Sequence, residues 1–287
     1  MCGSPERVRL FEKDGYPIAR CVRCGLIQMD VELAREELEA IYDERYFTEE
    51  ELLQDYLAQR EVRMQSGARA ADVLARMVPK GRLLEVGSAA GFFLQPASRH
   101  YEVTGVEISP FASEYARTTF GVRVLTGDIT EVGLEGEQFD AVAMWNTIEH
   151  LSDPLGALRQ VATLSRPGTL LALSTGDVRG PLARRGLRDW NLMDPPYHVF
   201  FFSPRTIDLL LAKAGFRLRR IVYDGVVATR GRLASPFGRA LGTLLGVGNV
   251  MTVYALRSDS PSPTSGPRRL VARYRPLARV ASGTRSE

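Results

Sequence analysis

The chain has 287 residues, 45% of them hydrophobic, and a net charge of +3; that length can bury the core of one large α/β domain or two smaller ones. Residues 257–287 hold seven arginines against Asp259 and Glu287, so the rest of the chain is slightly acidic and offers no basic face for a nucleic acid. No apolar run reaches the roughly 18 residues of a membrane helix, and no basic-then-apolar leader opens the sequence, which predicts no membrane span and a cytoplasmic location.

The cysteines come first, as Cys2-Gly3-Ser4 and Cys21-Val22-Arg23-Cys24-Gly25. A C-x-x-C pair turned by Gly25, with another thiol about 20 residues upstream, is the spacing of a small zinc ribbon. Tetrahedral zinc takes four ligands, so Cys2, Cys21 and Cys24 form an incomplete set. A redox pair is the rival reading, but such a pair opens a helix after a strand, where the dipole lowers the thiol pKa. Ile18–Arg20 and Leu26–Met29 read instead as the strands of a hairpin. An acidic helical stretch follows over Val31–Tyr42, then Asp43-Glu44-Arg45-Tyr46-Phe47, then a long helical pattern over Glu49–Val78 that Pro79-Lys80-Gly81 ends.

The most informative stretch is Leu83-Leu84-Glu85-Val86-Gly87-Ser88-Ala89-Ala90-Gly91-Phe92-Phe93-Leu94. An apolar run ending in an acid, two glycines four apart and a second apolar segment read as strand, tight turn and helix. Gly87 permits a sharp turn, and Gly91 a close backbone approach to a bound group. Pro96 lies inside the helix and should kink it. Ala89 stands where a second glycine would be, so the G-x-G-x-x-G dinucleotide fingerprint is absent. Tyr101–Ile108 reads as a second strand carrying Glu107 near its end, and Val122–Leu125 as a third, leading to Gly127-Asp128-Ile129. Phe139–Asn146 gives a fourth, followed by Thr147-Ile148-Glu149-His150, and Arg166-Pro167-Gly168 supplies a helix stop and turn before a fifth. Strands alternating with helices over 82–174 force a parallel sheet with right-handed crossovers. Ser203-Pro204 opens another helix with serine as N-cap and proline at N1. Phe216–Tyr223 is a sixth strand, 231–248 a glycine-rich helical insert, and Asn249–Leu256 a seventh strand. From Ser258 the composition is that of a disordered linker, and Pro276 interrupts any amphipathic helix over 268–280.

In order and spacing, these landmarks resemble the class I S-adenosylmethionine-dependent methyltransferases over roughly residues 1–257. E-x-G-x-x-x-G over Glu85–Gly91 is similar to that family's first motif. The branch it is most similar to carries a glutamate–histidine pair after strand four, a Pro-Gly turn before strand five, and a histidine with aromatics downstream. The resemblance implies an α/β fold: a doubly wound, seven-stranded Rossmann-like methyltransferase sheet, its last strand antiparallel, with a small N-terminal zinc-ribbon-like hairpin. It divides the chain into a ribbon at 1–30, a helical cap at 31–80, a methyltransferase domain at 81–257 and a disordered basic tail at 258–287. It implies S-adenosylmethionine held by Glu85, Gly87, Ser88, Ala89, Gly91, Glu107, Ile108, Asp128, Ile129 and Asn146, with Glu107 on the ribose hydroxyls and Asp128 on the adenine amine. Relatives in this branch begin with two cysteine knuckles. Cys2 matches the second cysteine of the first, so the fourth zinc ligand would precede Met1 or has been lost. Tyr46 falls where relatives carry a cap over the cofactor, with an ordinary core aromatic as the equal alternative.

A sulfonium methyl is already activated, so such an enzyme needs in-line placement of the acceptor, exclusion of water, and a base where the nucleophile carries a proton. Among the histidines, His100 ends the first helix away from the strand tips, and His150 follows strand four. His198 lies in Pro195-Pro196-Tyr197-His198-Val199-Phe200-Phe201-Phe202, a connection that covers the acceptor in related enzymes. His198 is placed ahead of His150 as general base, with a loop-holding role for His150 as its alternative. Asp194-Pro195-Pro196-Tyr197 spells the adenine-binding tetrapeptide of DNA amino-methyltransferases, but there it caps strand four, a place taken here by Trp145-Asn146-Thr147. The expected reaction is methyl transfer to a hydroxyl or activated carbon of a small molecule, such as a sugar, a lipid-linked intermediate or another secondary metabolite. The rivals are a nicotinamide-dinucleotide enzyme, disfavoured by the absent fingerprint, and a non-catalytic interaction protein, which would have no need of Glu85, Gly87, Gly91, Glu107 and Asp128.

Overall fold

A computed structural model describes residues 2–31, 37, 40–48, 56–223 and 248–259. The tail from 260, nearly all of the 231–248 insert, most of the acidic stretch at 31–42 and the first turns expected at 49–55 lie outside the described residues. In chain order the strands are β1 (Arg7–Lys13), β2 (Tyr16–Cys21), β3 (Ile27–Met29), β4 (Arg82–Val86), β5 (Glu102–Glu107), β6 (Arg123–Thr126), β7 (Phe139–Trp145), β8 (Ser165–Gly176), β9 (Phe200–Phe201), β10 (Phe216–Tyr223) and β11 (Val250–Arg257). The helices are α1 (Glu44–Thr48), α2 (Arg60–Met77), α3 (Leu94–Ala97), α4 (Pro110–Phe120), α5 (Pro154–Thr163), α6 (Pro181–Arg185) and α7 (Pro204–Lys213).

The main sheet has seven strands in the order β10-β11-β8-β7-β4-β5-β6. Pairings among β6, β5, β4, β7 and β8 are parallel, whereas β11 runs against both of its neighbours. Successive residues of a strand point to opposite faces, which is why the central strands are apolar throughout. Leu84, Val142, Met144 and Leu171 pack on one side with Leu158 and Val161 of α5 and Leu210 of α7. Leu83, Ala141, Ala143 and Ala172 pack on the other with Leu74 of α2 and Ala116 of α4. Helix starts follow the capping chemistry of the sequence: the side chains of Ser109, Asp153 and Ser203 each accept a backbone N–H, and each is followed by proline. Chain order reverses between β4 and β7, so the carboxyl ends of those strands open a crevice, the usual ligand position in a doubly wound sheet.

Several elements differ from expectation. The helix after the glycine turn is only α3, with Pro96 as its third residue, because proline withdraws a donor just where the helix would propagate. Pro167-Gly168 makes no turn before the fifth strand but lies inside β8, where the register with β7 shifts and Gly168 takes φ +88°. Among the described residues the long helix over 49–78 begins at Arg60. The N-terminal hairpin belongs to a four-stranded sheet in the order β1-β2-β3-β9. Its last strand arrives from the long connection after β8, pairing Phe201 with Ile27 and Phe200 with Gln28. Ile18, Ile27 and Met29 bury against Trp190, Met193 and Phe201, so the ribbon is fixed to the connection that carries His198. No helix among the described residues is long and apolar enough to cross a membrane.

Candidate active site

The glycine turn between β4 and α3 forms the floor of a cleft of about 1260 Å³ over the carboxyl strand ends. Gly87 sits at φ +73°, and a Cβ there would lie 2.5 Å from the Thr147 side chain, so glycine is required both for the turn and for contact with the β7 loop. Gly91, at φ +79°, has a different duty from the one expected: its Cβ would meet Ala116 of α4 at 2.9 Å, and the residue does not line the cleft. Ala89 and Asn146 also take positive φ, at 44° and 48°, a conformation non-glycine residues hold only where surroundings enforce it.

The expected cofactor residues Glu85, Gly87, Ser88, Ala89, Glu107, Ile108, Asp128, Ile129 and Asn146 all line this one cleft. Glu107 is buried, and its two carboxylate oxygens accept from the Ala89 amide at 2.7 Å and the Ser109 amide at 2.9 Å. Each oxygen keeps a further lone pair. Burial pushes the Glu107 carboxyl up, against the pull of those amides. Asp128 Oδ1 is taken by the Thr130 amide and hydroxyl at 2.7 and 2.6 Å, leaving Oδ2 for a ligand. Asn146 is held by Ser174, which accepts from its amide and donates to Oδ1, both at 3.0 Å. Glu85 Oε2 and Ser88 Oγ are buried with no hydrogen-bond partner. Burial first, and the charge of Glu107 second, push the Glu85 carboxyl far up, which favours the neutral acid able to donate. Orphaned polar atoms beside unspent carboxylate lone pairs fit a ligand as rich in hydroxyl and amino groups as an adenosyl group.

The other end of the cleft is aromatic. Tyr46 packs on Tyr42 at 4.9 Å and on Tyr197 at 5.5 Å between ring centroids and borders the cleft. His150 and His198 come from separate segments and meet with ring centroids 4.7 Å apart. The His150 Nδ1 lies 2.8 Å from the Tyr197 carbonyl and 2.8 Å from the Tyr42 hydroxyl, and the His198 Nδ1 lies 2.7 Å from the Leu192 carbonyl. Burial first, then the neighbouring His198, draws His150 down to about 3. His100 lies elsewhere, on Asp72 at 2.9 Å. Asp194 and Tyr197 of the tetrapeptide line the cleft beside the histidines, and the tetrapeptide does not lie at the tip of β7.

Sequence reasoning passed over two residues of this site. Glu149 was read only as half of a pair, yet it is buried, faces His198, and has an unpartnered Oε2. Arg63 had no local signal. Its guanidinium stacks 3.9 Å over Tyr56, which in turn stacks on Phe92 at 5.3 Å, and its Nε is buried without a partner. The three cysteines do meet. Cys2 and Cys21 sulfurs are 3.4 Å apart with Cys24 beside them, and among the described residues no further Cys, His, Asp or Glu joins the cluster. Burial opposes ionisation of Cys21, but hydrogen bonds from Cys24 and Cys2 prevail and bring it to about 7. Three thiols turned by Gly25, at φ +81°, fit three corners of a tetrahedral thiolate site.

A methyltransferase-domain profile matches residues 56–221, more than half of the chain. The chain belongs to the S-adenosylmethionine-dependent methyltransferase family. Within it, a ubiquinone biosynthesis O-methyltransferase of Xanthomonas axonopodis is 35% identical over 111 residues, 36% of this chain and 46% of the relative. A protein of the same name from Ruegeria pomeroyi is 30% identical over 141 residues, 42% and 56% of the respective chains. This chain thus spans about half the length of the curated relatives it matches. A Thermotoga maritima structure described as a SAM-dependent methyltransferase, possibly a histamine N-methyltransferase, superposes with a TM-score of 0.57 at 24% identity, covering 74% of this chain and 100% of the other. Magnesium protoporphyrin IX methyltransferase from Synechocystis, solved with SAH bound, gives a TM-score of 0.51 at 15% identity, covering 74% and 97%. These two likenesses establish the methyltransferase fold.

Proposed function

We propose that this methyltransferase transfers the methyl group of S-adenosylmethionine to a hydroxyl or activated carbon of a small molecule. The observation that carries the reading is one continuous cleft with the glycine turn, Glu107 and Asp128 at one end and a wall of tyrosines and histidines at the other. Glu107 would offer its unspent lone pairs to ribose hydroxyls and Asp128 Oδ2 would serve the adenine amine, while Ser88 and the neutral Glu85 would satisfy their orphaned atoms on the same ligand. When bound, S-adenosylmethionine would supply a sulfonium methyl for the acceptor's electron pair, with the thioether as leaving group. Tyr42, Tyr46 and Tyr197 exclude water and position the acceptor against that methyl. Its proton leaves at the histidine pair, with His198 ahead of His150 as acceptor because burial draws His150 down to about 3. The name shared by the curated relatives favours oxygen among the possible acceptor atoms.

The test is a thermal-shift comparison on the purified chain. S-adenosylhomocysteine should raise the melting temperature and NADH should not; stabilisation by NADH alone would return the cleft to a dinucleotide enzyme. Cys2, Cys21 and Cys24 are the proposed zinc ligands. Metal analysis should find Cys24→Ser holding one zinc per chain fewer than the native chain, while equal zinc in both would leave the thiols without that role.

A further inference from the structure

We propose that Glu149, His150 and His198 form a site for a first-row divalent cation that binds paired oxygens of the acceptor. The proposal rests on the methyltransferase reading and narrows its substrate class. Ligand atoms of the three side chains lie within 4.8 Å of one another, and each of the three residues lines the cleft. Hydrogen bonding decides which atoms are presented. Each Nδ1 lies against a backbone carbonyl, which only accepts, so each Nδ1 carries the proton. The lone pair of each ring is therefore on Nε2. A ring N–H fixed on a carbonyl is also the usual outer support of a metal-binding histidine, because it sets both tautomer and orientation.

The third donor carries the decisive observation. Glu149 is 5% exposed, and its Oε2 has no hydrogen-bond partner, although an unpaired buried carboxylate oxygen is costly. With the ring proton held on Nδ1 by a carbonyl, neither Nε2 donates to it. A dication satisfies the carboxylate oxygen and both nitrogens together. The loop is also built to hold them in place: the amides of Val199 and Phe200 donate to the Glu149 carbonyl at 2.9 and 3.1 Å, tying the segment of His198 to that of His150. The charged and polar neighbours are Thr175, whose side chain hydrogen-bonds the Glu149 carboxyl and leaves only Oε2 unpartnered, Asp194, which faces His198, and Tyr42, whose hydroxyl touches His150.

Two imidazoles with one carboxylate suit zinc, manganese, cobalt or nickel better than magnesium, which prefers oxygen alone. Three protein donors leave coordination positions open to the cleft, as in catalytic rather than structural sites. An acceptor with adjacent oxygens, either vicinal hydroxyls or a hydroxyl beside a carbonyl, would chelate there. A cation-bound hydroxyl is more acidic, so its proton leaves to water, and the histidine nitrogens act as ligands in place of accepting the proton themselves.

The test strips the 287-residue chain with EDTA and titrates it with Mn²⁺, reading free Mn²⁺ by electron paramagnetic resonance. Thiolates select softer ions than manganese, so the cysteine cluster should not mask the count. One Mn²⁺ per chain is expected, with affinity reduced at least tenfold in both His198→Ala and Glu149→Gln. S-adenosylhomocysteine affinity of each variant, measured alongside, shows that the cleft is folded; His198→Ala carries the test should Glu149→Gln fail to fold. Wild-type chain that binds S-adenosylhomocysteine but no Mn²⁺, or uptake unchanged in His198→Ala, overturns the cation site and leaves His198 as proton acceptor. Mn²⁺ uptake without S-adenosylhomocysteine binding sustains the site and defeats the methyltransferase reading instead.

Discussion

The two ends of the cleft are built on different principles. At the end proposed for the cofactor, the groups that line the cleft are backbone turns and carboxylates at the tips of consecutive strands, so their spacing along the chain is set by the length of a strand–helix–strand unit. At the acceptor end, Tyr42, His150 and Tyr197 meet from three separate segments, joined by hydrogen bonds at 2.8 Å. Nothing in their sequence spacing encodes that meeting. A site made from a sheet edge is therefore readable in one dimension, whereas a site made from loops has to be seen folded.

The largest test of this contrast is a pair of substitutions. On the proposed reading, Glu107→Ala would remove two charge-assisted hydrogen bonds to the ribose, and it should weaken S-adenosylhomocysteine by about 2 kcal/mol, roughly 30-fold by calorimetry. His198→Ala should leave that affinity within about twofold, since the ring belongs to the other end. Because Glu107 also accepts from Ala89 and Ser109, the variant needs a melting curve beside it. Equal losses in both variants would show that the two ends do not act separately, and an unchanged affinity in Glu107→Ala would remove the residue from the cofactor site.

The same division explains what could be read in advance. All seven strands of the main sheet were legible because each is an apolar or, in β10, a mixed apolar and basic segment bounded by turn residues. β9 was not, because two residues carry no pattern. Its pairing with β3 is a tertiary event, and it is what fixes the ribbon beside the acceptor loop. Pro167-Gly168 misled for a local reason: the pair is a turn signal, but β8 absorbs it as an irregularity. Glu149 was hidden by its partner, since a Glu-His pair draws attention to the histidine while burial decides the carboxylate's role. Arg63 reaches the cleft only because Gly67 lets α2 approach the glycine turn, where a Cβ would lie 2.5 Å from the Phe92 carbonyl.

A smaller effect separates both ends of the cleft from the sheet beneath them. Glu137 lies before β7, at the edge of the sheet opposite the cleft, and receives Arg123 from the start of β6 at 2.8 and 3.0 Å and Arg82 from the start of β4. Hydrogen bonds from Arg123, and then from Arg82, outweigh burial and hold its carboxyl near 2, below the usual 4.5. A carboxyl depressed on folding stabilises the protein above its unfolded pKa and loses that contribution as pH falls through the folded value. The contribution should be present above about pH 4.5 and fade towards pH 2. With 21% of the Glu137 side chain exposed, solvent screening limits it to about 1 kcal/mol. Urea unfolding at pH 7 should find Glu137→Gln less stable by that amount, with the difference shrinking as the medium is acidified. Affinity for S-adenosylhomocysteine and for Mn²⁺ should stay at wild-type values, because neither end of the cleft touches this network. A change in either affinity would mean that the base of the sheet is coupled to its ligand edge.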